Sequence, residues 1–181
     1  MDFILIRVYL KRGDYMRELS IKDFDENVFT LIDEDWLLIN SYNDEKVNSM
    51  TASWGGLGIL WNMKVAYIFV RPQRYTQELL PNNEYFSLSV LDSSYKKVLG
   101  YLGSASGRDE NKLEKAGLHA QFVEHGAPII EEARMNILVR KLFCQQLSEE
   151  SFIDKSIVSK NYPTKDFHYM YVVEILSIIE K

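Results

Sequence analysis

The sequence predicts a mainly β fold, an antiparallel barrel with short helices inserted between its strands. Three observations carry this. Short apolar runs rich in Val, Ile, Tyr and Phe recur along the chain, polar turn clusters separate them, and the helical signals are too brief and irregular for the strand–helix alternation of a parallel sheet.

The elements follow in order. Residues 36–41 and 47–53 flank the polar turn Asn43-Asp-Glu-Lys and read as a hairpin. Residues 65–70 are almost wholly apolar and run into Pro72, the profile of a buried strand. Residues 84–91 alternate, with Phe86, Leu88 and Val90 on one face and Ser87 and Ser89 on the other. Two longer apolar stretches, 135–144 and 169–179, complete the strand set. Helical signals fall at 75–80, 95–102 and 109–116. Ser93 and Ser94 are candidate caps for the second, and Gly117 offers a left-handed stop for the third.

A chain of 181 residues suits one domain, 1–181, with a sizeable core. It contains no linker-like tract or repeat, and residues 1–16 stand apart as an N-terminal extension in which Met16 is a candidate second start. Residues 3–10 are apolar, yet too short to span a bilayer, interrupted by Arg7 and not preceded by a basic region. Neither signal peptide nor anchor is read, and a cytoplasmic protein is expected. The net charge of −5, with no basic cluster, argues against nucleic acid and anionic membranes as partners. The single cysteine, Cys144, excludes an intramolecular disulfide or CxxC motif, so redox chemistry must come from a cofactor. Its apolar neighbours predict a buried, inert thiol.

Several motifs fail on inspection. Gly56-Leu-Gly58 begins like a dinucleotide fingerprint, but the third glycine is replaced by Trp61 and no long helix follows. Gly103-Ser-Ala-Ser-Gly107 has Ala105 where a nucleophile elbow needs a nucleophile. His119, His125 and His168 lack metal-ligand spacing, so no metal is expected.

Two segments have chemistry to offer. In Val70-Arg-Pro-Gln-Arg-Tyr-Thr76, two arginines lie where a buried strand turns into a short helix, with Pro72 suited to the first helical position. Arg71, Arg74, the hydroxyl of Thr76 and the free N–H groups of a helix start can together hold a phosphate. The same spacing also fits surface arginines paired with Glu78 or Glu84. In Asn48-Ser-Met-Thr-Ala-Ser-Trp-Gly55, small and hydroxylated residues end a strand, which lets a planar ring approach the backbone. A strand that ends at a glycine turn, with Trp54 and Trp61 in the core, fits the pattern equally.

These two segments, with Leu102-Gly-Ser-Ala-Ser-Gly-Arg-Asp-Glu-Asn-Lys112 and His168-Tyr-Met-Tyr-Val-Val-Glu174, resemble in matching order the flavin reductase-like family, and most of all its flavoredoxin branch. The resemblance spans roughly residues 36–179. It implies an antiparallel split β-barrel, the FMN-binding split barrel, as a homodimer with FMN held near the subunit interface. By position, Asn48, Met50, Thr51, Ala52, Ser53 and Trp54 would line the ring and ribityl chain. Arg71, Arg74, Tyr75 and Thr76 would surround the phosphate, Ser106 and Lys112 would join from the inserted helical segment, and His168 would lie near the ring or the nicotinamide approach. A satisfied histidine in a core strand is the other reading of His168. The final strand departs from the family pattern in carrying Val173 where a glycine is usual.

Three functions follow from the resemblance: a flavin reductase in which hydride passes from NAD(P)H to the bound flavin, a flavoredoxin-type electron carrier serving a redox partner protein, and a flavin-binding protein without turnover. Thr51 or Ser53 is the expected hydroxyl donor to reduced flavin, and loss of Arg71 is expected to weaken FMN binding by about 1.5–3 kcal/mol.

Overall fold

The computed structural model describes residues 8–9, 15–44 and 46–181. Most of the apolar N-terminal run at 3–10 lies outside them. Eleven strands are present among the described residues: β1 (Val8–Tyr9), β2 (Tyr15–Leu19), β3 (Leu37–Tyr42), β4 (Val47–Ala52), β5 (Gly55–Leu60), β6 (Met63–Val70), β7 (Tyr85–Val90), β8 (Ala120–Phe122), β9 (Pro128–Ile130), β10 (Met135–Gln146) and β11 (Tyr169–Glu180). All their pairings are antiparallel.

The main sheet runs β5-β6-β11-β10-β7-β3-β4, and β2 takes the far end of β11. Two register shifts between β10 and β11, at Leu138/Val139 and Lys141/Phe143, bend the long central pair and let the sheet curl. Its two outer strands, β4 and β5, follow one another in sequence through Ser53 and Trp54 yet do not pair. The barrel is therefore split along this line, and the split leaves an unpaired backbone edge on β4.

The hairpin expected around residues 43–46 is β3–β4, in register from Leu37↔Ala52 to Tyr42↔Val47. The glycine segment after Trp54 is not a turn but β5, paired to β6 through a tight Trp61-Asn62 connection in which both residues have positive φ (51° and 59°). Trp54 and Trp61 are both exposed rather than packed in the core. Inside the barrel, Ile39, Met50, Ile68, Phe86, Leu88, Ile137 and Tyr171 form the main core.

The alternation in β7 correctly separates its two faces, but both are buried. Ser87 and Ser89 each accept a hydrogen bond from Asn40 Nδ2, and Ser89 donates to Asn136 Oδ1 beneath the β8–β9 hairpin. This closed network removes the desolvation penalty that two buried serines would otherwise carry.

Five α-helices are present among the described residues: α1 (Val28–Thr30), α2 (Tyr75–Leu79), α3 (Lys96–Ser104), α4 (Lys112–Ala116) and α5 (Lys155–Asn161). Pro72 is not the first residue of α2: the segment 72–74 is a turn and Arg74 is the N-cap. Ser93 and Ser94 do not cap α3 but lie in a 3-10 turn whose cap position is Asp92. Gly117 ends α4 in the left-handed conformation (φ 68°), as expected. Helix α5 was not evident from periodicity; its signal is Asp154, whose carboxylate accepts from Ser156 N at 2.9 Å. Cys144 is exposed, contrary to expectation. The reason is that β7 stops pairing with β10 at Arg140, so the far end of β10 is flanked only by β11. No helix among the described residues is long and apolar enough to cross a membrane.

Candidate functional site at the split of the barrel

A cavity of about 320 Å³ opens at the split. Its floor is the end of β4 with the link to β5: Met50, Thr51, Ala52, Ser53 and Trp54. Phe69 of β6 and His168, just before β11, form one wall. Arg71 and Arg74 flank the turn after β6, and Gly103 comes from the last turn of α3. Seven of the residues singled out by sequence line this space, and His168 joins them. Asn48, Tyr75, Thr76, Ser106 and Lys112 do not line it.

Those five form the support behind the cavity. Asn48 Nδ2 donates to Thr76 Oγ1 at 3.0 Å, tying β4 to α2 in a buried contact. Asn48 Oδ1 lies against Gly107, where a Cβ would stand 2.1 Å from it and 2.9 Å from Tyr75 Cδ1. Only glycine lets the segment after α3 dock this closely. Lys46 Nζ donates to Gly107 O, and the charges of Lys46 and Arg108 sit over the Tyr75 ring at 5.6 and 5.5 Å. Ser106 Oγ accepts from Arg108 N at 3.2 Å.

Helix α3 is held to β4 by Thr51, whose hydroxyl donates to Leu99 O at 2.6 Å. That proton is committed, so Thr51 can offer a ligand only an acceptor. Ser53 has no protein partner among the described residues and keeps its hydroxyl available.

The cations divide into two environments. Arg71 donates to the Asp166 carboxylate and to Asn161 O (2.9 Å), and its guanidinium lies 5.3 Å from the centre of the Tyr162 ring. Asp166 also accepts from Gln73 Nε2 at 2.8 Å. The Arg71 guanidinium, and then Gln73, hold this carboxyl well below the usual range. Arg74, by contrast, donates to Gly103 O and, through Nε, to Met50 Sδ at 3.3 Å. Lys112 is buried nearby and donates to Leu102 O at 2.9 Å. Both cations therefore bind carbonyls at the C-terminal end of α3, where the helix dipole is negative. Among the described residues, neither makes a salt bridge, although the charge of Glu110 acts on Lys112 from a distance. Burial lowers the pKa of Arg74. Burial, and then the charge of Arg74, pull Lys112 down to about 8. Neither arginine takes Glu78 or Glu84; Glu78 pairs with Arg108.

His168 is buried, with Nδ1 2.9 Å from the Tyr162 hydroxyl and its ring 5.0 Å from that of Trp54. Burial, and then the Arg71 charge, depress its pKa to about 4, so it is neutral at physiological pH. Phe69, Tyr162 and Asp166 are the site residues that sequence reasoning missed. Phe69 sits in a strand read only as core, and the other two lie in a segment without a motif.

A family model described as flavin reductase like domain matches residues 37–175. The chain belongs to the flavin reductase-like family. No curated protein sequence matches it. Among solved structures, the fold is similar to an FMN-binding domain of a flavin reductases-like enzyme from Shewanella baltica, with TM-score 0.66 and 13% identity, covering 91% of this chain and 76% of that one. It is also similar to an FMN-binding protein from Thermus thermophilus (TM-score 0.62, 21% identity, 97% and 82% covered). A flavoredoxin from Methanosarcina acetivorans is matched at TM-score 0.62 and 23% identity, with 81% and 68% covered. Family membership bears out the split-barrel fold and the flavin cofactor, FMN in the first two relatives named, that the motif resemblance implied.

Proposed function

We propose that this chain binds FMN at the split of its barrel and acts as an oxidoreductase in which the bound flavin accepts hydride from NAD(P)H. The observation that carries the reading is the pair Arg74, which lines the cavity, and Lys112, buried behind it, two cations that make no salt bridge among the described residues and are held by carbonyls. Such a pair is costly unless an anion completes it, and a dianionic phosphate does so. The remaining donor set fits the rest of the cofactor. The open edge of β4 and the Ser53 hydroxyl suit the polar rim of an isoalloxazine ring, and Trp54 and Phe69 supply flat apolar walls.

When bound, the flavin supplies two-electron redox chemistry that the side chains lack. The protein orients and shields it. Arg74, with Lys112 behind it, would anchor one end, the Ser53 hydroxyl would hydrogen-bond the ring, and neutral His168 stands beside Trp54 at the other wall. A homodimer belongs to the same proposal, because Trp54 is exposed at the cavity and a second copy would cover it.

Stopped-flow mixing of FMN-loaded protein with NADH and with NADPH tests the reading. Rapid bleaching of the flavin band is expected with one or both. A protein that holds FMN but is not bleached by either is not a reductase, and one that stays colourless with added FMN is not a flavoprotein. Light scattering should report a dimer at micromolar concentration.

A further inference from the structure

Arg71 and His168 of the cavity wall, with Asp166 and Tyr162 behind them, form a chain of contacts that no cofactor is needed to explain. Asp166 holds Arg71, Arg71 covers the ring of Tyr162, and the Tyr162 hydroxyl lies 2.9 Å from His168 Nδ1. Tyr162 is itself buried and packs in a three-ring cluster against Phe152 and Phe167, with ring centres at 5.7 and 4.9 Å. Its orientation is therefore fixed by packing before any hydrogen bond is counted.

We infer that Tyr162 is a positioning residue that donates to His168 Nδ1 and so fixes the imidazole as its Nε2–H form, presenting the cavity with a hydrogen-bond donor matched to a ligand carbonyl oxygen. The direction follows from counting protons. Neutral imidazole has one N–H and one lone pair, and a phenol has one O–H. Among the described residues, Tyr162 has no other acceptor for its proton. If Nδ1–H donated to the phenol instead, a buried O–H would have no acceptor, at the cost that attends an unpaired buried donor. Burial also raises the Tyr162 pKa, which keeps the phenol protonated, and His168 is neutral at pH 7. Nε2, which has no protein partner among the described residues, is then the ring nitrogen left for a ligand, and the ring lines the cavity.

Two carbonyl sources share this chemistry: the pyrimidine rim of the flavin and the carboxamide of a nicotinamide. Only this choice rests on the flavin reading, because the tautomer is a property of the protein alone.

Long-range 15N–1H correlation spectra of the cofactor-free protein at pH 7 test the first half. The chain has three histidines, and His168→Gln identifies the signals of the third. An unprotonated Nδ1 and a protonated Nε2 are expected at His168 in the wild type. Tyr162→Phe, which keeps the ring and its packing, should convert this to a mixture of tautomers. Nδ1–H in the wild type overturns the inference whether or not the variant folds, and so does an unchanged pattern in a folded Tyr162→Phe.

Titration with FMN, and then with NADP+ added to the FMN-loaded protein, tests the second half. A downfield shift of the Nε2 proton with FMN alone identifies the flavin carbonyl; a shift only with NADP+ identifies the nicotinamide carboxamide. No shift in either titration while FMN binds overturns the ligand role. Failure to bind FMN defeats the flavin reading and leaves the tautomer result standing. Tyr162→Phe should slow flavin reduction about tenfold, in keeping with the loss of one neutral hydrogen bond.

Discussion

Arg71 and Arg74 lie three residues apart, in a segment where sequence gives no reason to treat them differently, yet they occupy opposite electrostatic situations. Arg71 is neutralised by Asp166 and stacked on Tyr162, so it serves as part of a wall. Arg74 binds only a carbonyl and a thioether, and Lys112 nearby donates to a carbonyl and makes no salt bridge among the described residues. A guanidinium already matched to a carboxylate has little to gain from a phosphate, whereas one held by neutral acceptors retains its charge for an incoming anion. Proximity to a cavity is therefore a weaker guide to phosphate binding than the partner each cation already has.

The largest expected effect follows directly. Arg74→Ala should weaken FMN binding by about 1.5–3 kcal/mol, the usual range for losing a charged hydrogen bond, as read by fluorescence titration. An equal or larger loss in Arg71→Ala would break the comparison. The range expected from sequence for Arg71 thus passes to Arg74.

Arg71→Ala should act on the fold instead. It leaves Asp166 with Gln73 and Thr164 but no cation, and removes the cover over Tyr162. A loss of about 1–2 kcal/mol in urea unfolding is expected, with a change in FMN affinity of less than about 1 kcal/mol. A variant as stable as the wild type would show that the Asp166 contact contributes nothing.

The two walls should also respond to pH in different windows. His168 titrates near 4 in the folded protein against about 6.5 unfolded, so the unfolded chain binds more protons between those values. Asp166, held low by Arg71, contributes stability above its unfolded pKa near 4 that is lost as pH falls further. The melting temperature should therefore drop from pH 6.5 downwards, and His168→Gln should flatten the upper part of that fall. On the other wall, Lys112 loses its proton near 8. A phosphate favours the protonated form, so FMN affinity should decline as pH rises past about 8, and Lys112→Met should remove the decline. A pH-independent affinity from 7 to 9.5 in the wild type would separate Lys112 from the phosphate.

The smallest effect distinguishes the two hydroxyls on the cavity floor. Ser53→Ala should slow flavin reduction by a few-fold, about one neutral hydrogen bond, while leaving stability unchanged. Thr51→Val should lower stability instead, because it breaks the link to Leu99 O.

Much of the fold was legible because hairpins are local. The β3–β4 pair, the buried strand β6 and the alternation of β7 all follow from residues close in sequence. Helix α5, the β8–β9 hairpin and the strand character of the glycine-rich β5 were not legible. Their signals are a single cap, three-residue strands and residues with weak strand preference. The same boundary runs through the site. Met50 to Trp54, Arg71, Arg74 and His168 were found by motif, while Asp166, Tyr162 and the exposure of Cys144 depend on partners distant in the chain.

Sequence alone thus determined the mainly β character, the family through four motifs in order, and most residues that line the cavity. Tertiary structure alone decided which arginine is spent on a carboxylate, which hydroxyl stays free and which nitrogen of His168 is engaged by Tyr162. Arg71 meets Asp166 across 95 residues of sequence, and Arg74 meets Gly103 across 29. Direct pairing of β6 with β11 creates the first meeting and the packing of α3 on β4 the second, and each partner's charge then determines what the side chain can still bind.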